Sequence, residues 1–444
     1  MDSQLRKRHV RQEREPERQY SFRTNRCSQL RKQLMKIILT SLGTRGDIEP
    51  FLAIGKILKE KGHQVICAFS DQFRELTESC DIEFRSLGRK NDDIFESDAN
   101  RTVMGGSGIK KFFAYIKLMR HAQSQKVPEE KEFKLYELVK QERPDRIVYH
   151  SKNVYPLIWE YKNRGKTIFV FPFAYFHYIK VHTFFSGKNY GEFFNKLTFK
   201  FYDFGVVTAT MAAKKWLRIN DKITRRQLKN IIHSRKFIYT ISPGLFPRPG
   251  YWESNVKVLG HQELKRSTDW KPEKKLTEFI AKHEKILFIT FGSMPNPEPE
   301  QKTRIILEIL EQNKIPAIVN RASGGLVKPD KFDSELIYFV SQISYDWIFP
   351  KMYAVIHHGG AGTTHLAIKY ACAVMIIPHF MDQFVWDKII SDLGIGPKGV
   401  KISIITNKNL EPKVLELLNN KSFKEKSAQI SNQMKKEDFE DELY

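Results

Sequence analysis

One stretch, Val355 to Thr364 (V-I-H-H-G-G-A-G-T-T), constrains this chain more than any other. An apolar run from Met352 to Ile356 leads into two histidines. Three glycines within four positions follow (Gly359, Gly360, Gly362), and two threonines then open a helical pattern that reaches Tyr370. The order is strand, loop, helix. Glycines let the backbone turn tightly and approach a ligand, while the free amides and positive end of the next helix favour an anion, a phosphate being the natural guest. Taken alone, the loop is equally well read as a plain βα turn, because a glycine fingerprint by itself is a weak signal.

The flanking sequence alternates in the same way. A strand at 34–40 is followed by the loop S-L-G-T-R-G-D and by a helix whose apolar positions Ile48, Phe51, Leu52, Ile54 and Leu58 recur at helical spacing up to Gly62. Strand Gln64 to Phe69, helix Asp71 to Ser79 and an extended segment Ile82 to Leu87 complete a βαβαβ run, which implies a parallel, doubly wound sheet with right-handed crossovers. Residues 88 to about 130 read as an insertion, with a glycine-rich turn at Gly105 to Gly108 and a helix at Ile109 to His121. Strands return at Arg146 to His150 and Thr167 to Phe173, and prolines at 243, 247, 249 and 272 mark a break between halves.

A second alternation follows: strand Lys285 to Phe291, helix Glu300 to Gln312, strand Ile315 to Asn320 and strand Leu336 to Val340. A short Y-D-W-I-F-P helix, strand Tyr353 to His357, the glycine loop and strand Val374 to Pro378 complete it, with a helical stretch to Leu393. The expectation is α/β, with two Rossmann-like parallel-sheet domains at 34–250 and 251–420, and a charged helical tail at 421–444 that packs back on the first half or frays.

With 444 residues the chain is long enough for two or three domains, and its net charge of +23 draws it toward polyanions without choosing among membrane, nucleic acid and phosphorylated substrate. Residues 1–33 hold ten Lys/Arg against four Asp/Glu and almost no aliphatics, so this arm is expected to be disordered. It is either a solvated extension or an element that steers toward an anionic surface, at ~1 kcal/mol per basic residue near an acidic leaflet. Between His177 and Phe204, aromatics such as Tyr190, Phe193, Phe194, Phe199 and Phe201 interleave with lysines. That pattern suits a core helix with a lysine-covered face, and it also suits an apolar acceptor pocket or a membrane-facing lip. No nucleic-acid module accompanies it.

Cys27, Cys67, Cys80 and Cys372 show neither C-x-x-C nor a His/Cys cluster, which supports no zinc site and no disulfide framework and fits a reducing cytoplasm. No apolar run approaches the roughly 20 residues a membrane helix needs, so a soluble or peripherally attached protein is expected.

The glycine loop with its neighbours, H-H-G-G-A-G-T-T-H and then P-H-F-M-D-Q after a strand, resembles the donor-site signature of the nucleotide-sugar glycosyltransferases with two facing Rossmann-like domains (GT-B type). The subgroup is that of sterol glucosyltransferases and of bacterial glycopeptide and macrolide glycosyltransferases. The stretch S-L-G-T-R-G-D-I-E-P-F-L-A-I-G-K-x-L-K-x-K-G-H resembles that subgroup's opening.

The resemblance implies an N-terminal acceptor domain and a C-terminal nucleotide-sugar domain. It implies that His358, Gly360, Gly362 and Thr363 lie on the donor diphosphate, together with Ser293 of F-G-S, and that Asp382 and Gln383 grip hydroxyls of the sugar. Phe339 and Gln342 fall where relatives contact the base, and Gly43 and Thr44 of the first loop reach the donor. Asp47 is the implied general base, removing the acceptor's proton during inverting transfer. The bare sequence also makes Asp47 a helix N-cap, and the two roles can coexist; Asp382 has the same alternative, and His357 reads as a capping or packing residue. Many plant relatives carry a glutamate late in the signature for the ribose hydroxyls, and T-T-H-L-A-I here has no carboxylate, so uridine versus deoxythymidine stays open, with uridine preferred.

The function expected is metal-independent, inverting transfer of a hexose, glucose foremost, from a UDP-sugar to a hydroxyl of a lipophilic acceptor such as a sterol. No cofactor or nucleic acid is expected, and peripheral contact with an anionic membrane is. The competing readings are an epimerase of the same architecture and a catalytically silent binder of sugar nucleotide or lipid.

Overall fold

Apolar runs without alternation, such as K-I-I-L-T and A-V-I-H, suit parallel strands covered on both faces, and they occupy the middles of two sheets. The computed structural model describes residues 34–89, 127–174, 176–180, 189–264, 270–292, 294–295, 298–322, 325–380 and 382–444. The basic arm, the turn at 105–108, the helix expected over 109–121 and Ser293 lie outside the described residues.

The first sheet has the order β3-β2-β1-β4-β5-β6-β7 and is parallel throughout. Its strands are β1 (Lys36–Thr40), β2 (Gln64–Phe69), β3 (Glu83–Ser86), β4 (Arg146–Tyr149), β5 (Thr167–Phe171), β6 (Lys236–Tyr239) and β7 (Val256–Val258). The second is also parallel, in the order β10-β9-β8-β11-β12. It is built from β8 (Leu287–Thr290), β9 (Ala317–Asn320), β10 (Ile337–Val340), β11 (Ala354–His357) and β12 (Ala373–Ile376). Strands β6 and β7 were not expected from the sequence, being short and carrying lysine, and β7 takes the first sheet past residue 250.

In each sheet the strand order reverses once beside the first strand, between β1 and β4 and again between β8 and β11. Ligands of open parallel sheets bind in the crevice at the carboxyl ends of strands at such a reversal. The four loops that matter below leave those four strands.

Helix α1 (Arg45–Glu60) buries the stripe the sequence marked, Ile48, Phe51, Leu52, Ile54 and Leu58. The single helix expected over Asp71 to Ser79 is a 3-10 turn, Asp71–Phe73, followed by a short α-helix, Arg74–Glu78. Helix α2 (Glu192–Trp216) corrects the reading of the aromatic segment as a core stripe. It buries Asn195, Phe199, Val207, Thr210 and Ala213, while Phe193 (75% exposed), Phe204 (65%), Phe194 and Phe201 face outward.

Helices α3 (Ala361–Lys369) and α4 (Gln383–Asp392) follow β11 and β12. The last helix, α5 (Lys421–Met434), is tied to the second half, with Ser427 Oγ donating to the Cys372 carbonyl at 2.6 Å. The tail beyond it returns to the first half: Ser242 Oγ donates to Glu437 at 2.6 Å, and Lys61 pairs with Asp441 at 2.5 Å. Among the described residues Cys67 and Cys372 are free thiols, and no helix is long and apolar enough to cross a membrane.

Candidate active site

The loop after β1 turns at Gly43, whose φ of +136° is open to glycine. A methyl group there would stand 2.1 Å from Asp47 Oδ2 and 2.3 Å from Lys152 Nζ, so the missing side chain leaves room for an ion pair. Thr44, not Asp47, is the N-cap of α1, and Asp47 is the third helical residue of a capping box. The Thr44 amide donates to Asp47 Oδ2 at 2.8 Å. Capping therefore occupies one carboxylate oxygen and leaves Oδ1 facing the loop after β4.

That loop supplies two residues the sequence reading missed. Lys152 Nζ donates to Asp47 Oδ2 at 2.9 Å, and His150 Nε2 lies 3.5 Å from Asp47 Oδ1. The His150 ring is buried and stacked on Phe171 at 4.9 Å, with neither ring nitrogen hydrogen-bonded. Burial pulls the Asp47 carboxyl upward, but the charges of Lys152 and His150 and the hydrogen bonds from Lys152 and Thr44 outweigh it and hold the group below the usual carboxylate range. Burial presses His150 down to about 4, against the pull of Asp47. At neutral pH the pair is therefore a carboxylate beside a neutral imidazole.

On the second sheet, the loop after β11 passes through Gly359 at φ +97°, where a methyl group would meet Ile376 and Gln383. Gly360 is the N-cap of α3, and a methyl group on it would lie 2.6 Å from His358 Nε2. A methyl group on Gly292, in the loop after β8, would lie 3.0 Å from Cε1 of the same ring. The His358 imidazole is thus gripped between both loops of the reversal. Its Nδ1 is buried without a partner, and burial lowers its pKa to about 4. The first-turn amides of Ala361, Gly362 and Thr363 have no preceding helical carbonyl to bond. A side chain on Gly362 would meet nothing within 4 Å, so this end of the helix is open. His357 is fully buried and accepts the Gly359 amide at 3.0 Å, which is a packing and capping role.

Asp382 stands at the N-cap position of α4 but makes no side-chain cap bond. Burial raises its pKa to about 7, and the negative charge of Asp47 adds to the rise. Gln383 is more committed than its sequence context suggested, since its side-chain oxygen accepts the amides of His379 (2.7 Å) and Phe380 (3.0 Å), leaving the NH₂ group as its free donor side. Phe339 packs edge-on against Phe332 at 5.1 Å, and Gln342 is exposed just beyond β10. Thr363 is half-buried beside Gly362.

A cavity of about 350 Å³ opens beside the loop after β4. Ser151 and Asn153 line it together with Phe169, Tyr202 and Val206. Ser151 lies between His150 and Lys152 in the chain, although neither of those residues nor Asp47 lines the cavity itself.

Two parallel sheets, each with its loops at the reversal point, match solved glycosyltransferases along nearly the whole chain. A kitacinnamycin glycotransferase superposes with a TM-score of 0.64 at 14% identity, covering 91% of this chain and 95% of that one. The glycosyltransferase VinC, solved with dTDP, gives 0.60 at 14% identity, covering 91% and 96%. This chain has the two-domain glycosyltransferase fold. Within that fold, residues 37–142 match the glycosyltransferase family 28 N-terminal domain, and residues 335–443 match the erythromycin biosynthesis protein CIII-like C-terminal domain. The second match takes in the glycine loop and the Asp382–Gln383 pair.

In sequence the chain is similar to the sterol 3-beta-glucosyltransferases. One from Arabidopsis thaliana is 28% identical over 91% of this chain and 64% of its own length, and one from Saccharomyces cerevisiae is 25% identical over 91% and 34%. The chain thus spans less than two thirds of these relatives.

Proposed function

We propose that the protein transfers a hexose, glucose foremost, from a UDP-sugar to a hydroxyl of a lipophilic acceptor, with inversion and without a metal. The observation that carries this reading is the Asp47 carboxylate held by Lys152 and His150 in the loops at the reversal point of the first sheet, together with the open amide end of α3 in the loop at the reversal point of the second.

The amides of Ala361, Gly362 and Thr363 and the His358 imidazole are suited to a diphosphate and to the charge it gains on leaving. Asp382 and the Gln383 NH₂ group are suited to the sugar hydroxyls. The acceptor fills the cavity beside Ser151, and its hydroxyl gives its proton to Asp47 as the anomeric carbon is attacked from the face opposite the diphosphate. A carboxylate held low by the Lys152 charge is a weak base, so proton transfer belongs late in the step, once the attacking oxygen has become acidic. Phe339 and Gln342 are assigned to the base, and Ser293 to the phosphates.

The outward row of Tyr190, Phe193, Phe194, Leu197, Phe201 and Phe204 on and before α2, flanked by exposed Lys196 and Lys200, supports peripheral docking on an anionic bilayer. Phe201 belongs both to this row and to the cavity wall.

The test is a panel of UDP- and dTDP-sugars with sterol and phenolic acceptors, read as nucleotide release and as product configuration by NMR. A β-linked product from an α-linked donor, formed in EDTA and lost in Asp47→Asn, is expected. Turnover undiminished in Asp47→Asn would remove the base, and a retained α configuration would remove inversion.

A further inference from the structure

The cavity beside the loop after β4 opens along one helix. Of the described residues that line it, Phe201, Gly205 and Ala209 are exposed, and the others are buried or half-buried. These three follow one another at i, i+4 and i+8 on α2, so they stack as a single edge. Gly205 is the middle of that edge. It stands in the interior of a 25-residue helix, and a methyl group on it would meet nothing within 4 Å, so packing inside the chain does not call for glycine. Glycine is among the poorest helix formers, and what its missing side chain leaves here is a gap in the rim of the cavity.

The outward aromatic row begins at the same edge. Phe193, Leu197, Phe201 and Phe204 recur at i, i+4, i+8 and i+11, which is one face of a helix, and Phe201 is shared by the row and the rim. Asn195, Phe199, Thr210 and Ala213 hold the opposite face inside. The border of the row is basic. Lys196 and Lys200 are exposed one turn apart beside it, and the Arg225 guanidinium lies 5.9 Å from the centre of the Phe204 ring. The acidic residues of α2 are Glu192, at its first position, and Asp203, which pairs with His233 at 3.0 Å. A contiguous apolar face with a cationic border is the composition of a helix that lies in the surface of an anionic bilayer.

We propose that α2 is a membrane doorway: the row lies in the surface of an anionic bilayer, and the acceptor passes from the lipid into the cavity through the gap at Gly205, between Phe201 and Ala209. An apolar helix face buries about 5–10 Å into the boundary between headgroups and acyl chains, which is the depth at which a lipophilic alcohol resides. With the rim beside that face, the acceptor leaves one apolar surrounding for another, and Leu157, Phe169 and Val206 receive its body inside the cavity. Its apolar area is not exposed to water on the way, so the unfavourable step in taking up an insoluble molecule from solution is avoided. This rests on the reading that the cavity is the acceptor site. It adds the source of the acceptor and what governs delivery, namely the anionic surface.

The experiment uses the full chain, phosphatidylcholine vesicles with or without about one third phosphatidylserine, and the fluorescent sterol dehydroergosterol as the probe. Cosedimentation reads docking, and movement of the sterol from loaded to empty vesicles reads passage through the cavity; neither needs nucleotide or turnover. Wild type is expected to bind the anionic vesicles about tenfold or more tightly than the neutral ones and to speed sterol movement between them. Joint replacement Phe193→Glu and Phe204→Glu, outside the cavity lining, should reduce both readouts at least about tenfold. Gly205→Leu should dock within about twofold of wild type yet move sterol at least about tenfold more slowly, because its side chain fills the gap. Equal binding of both vesicles, binding of neither, docking undiminished in the double variant, or sterol movement undiminished in Gly205→Leu would each overturn the proposal. A wild-type dimer that the double variant dissociates, with no vesicle binding, would give the row to a second copy and overturn it too. Should Gly205→Leu fail to fold, judged by its near-UV circular dichroism, Ala209→Leu on the same rim takes its place. Glucosyl transfer is scored separately. Sterol movement that responds to the variants without turnover would leave this inference standing and count against the enzymatic reading, whereas turnover of vesicle-borne sterol undisturbed by any of them would do the reverse.

Discussion

Replacing Gly43 with alanine should abolish most turnover while sparing nucleotide binding. The added methyl group would stand 2.1 Å from Asp47 Oδ2 and 2.3 Å from Lys152 Nζ, and ordinary contact begins at 3.4 Å. The carboxylate must therefore move by more than an ångström, or the loop must swing. A displacement near 1 Å at a reacting group costs about 10²-fold in rate, or about 2.7 kcal/mol at 1.36 kcal/mol per decade. The backbone adds its own cost, because φ +136° is foreign to alanine and on the order of 1–3 kcal/mol of strain follows.

The loops proposed to bind the nucleotide leave the other sheet, and the atoms a methyl group on Gly43 would meet belong to Asp47 and Lys152. Gly43→Ala is thus expected to show a UDP dissociation constant within about twofold of wild type, a melting temperature lowered by several degrees, and kcat down about 100-fold. Calorimetric titration with UDP and a coupled assay of UDP release read the two quantities separately. Turnover within threefold of wild type would refute the placement of Asp47 at the reacting hydroxyl. Loss of UDP binding in step with turnover would mean that the first loop is part of the nucleotide site.

Three further outcomes follow from the same geometry. Gly362→Val projects into open space and should fold with an unchanged melting temperature yet bind UDP at least about tenfold more weakly, so an unaltered titration would count against phosphate contact there. Lys152→Ala removes the leading charge that holds Asp47 low, so the acid limb of kcat/KM should move to higher pH, and a limb that stays in place would dissociate Asp47 from it. Asp382 binds its proton more tightly folded (about 7) than unfolded (3.8), so wild type should lose stability as pH rises from about 4 to about 7. Asp382→Asn should abolish that loss and be more stable above pH 7, by on the order of 1–2 kcal/mol given the group's partial exposure; parallel urea curves at pH 5 and pH 8 check it, and identical pH dependence would contradict the burial of that carboxylate.

The architecture was legible because parallel strands buried on both faces leave continuous apolar runs, and because the helices between them repeat at helical spacing, as in Ile48 to Leu58. Short, polar strands such as K-F-I-Y and V-K-V carry no such signal, which is why the first sheet runs beyond the boundary drawn from the prolines. The glycine loop could be located because its constraints are local: Gly359 and Gly360 are required by neighbours within the same loop and the next strand and helix.

The cluster at Asp47 was only half visible. Asp47 and Thr44 are neighbours in the chain, whereas His150 and Lys152 arrive through a crossover of some hundred residues, and no periodicity reports such a meeting. The available signal was positional: H-S-K directly follows a parallel strand, at the edge where ligands bind. The aromatic segment misled because composition does not say which face of a helix turns inward; Asn195, Thr210 and Phe199 form the buried side of α2, and the phenylalanine row takes the other.

The most direct measurement is a structure of the chain with UDP bound. The diphosphate is expected within hydrogen-bonding distance of the Gly362 and Thr363 amides and of the His358 ring, with its terminal phosphate turned toward Asp47. A nucleotide seated anywhere else, or one whose phosphates point away from the first sheet, would contradict it.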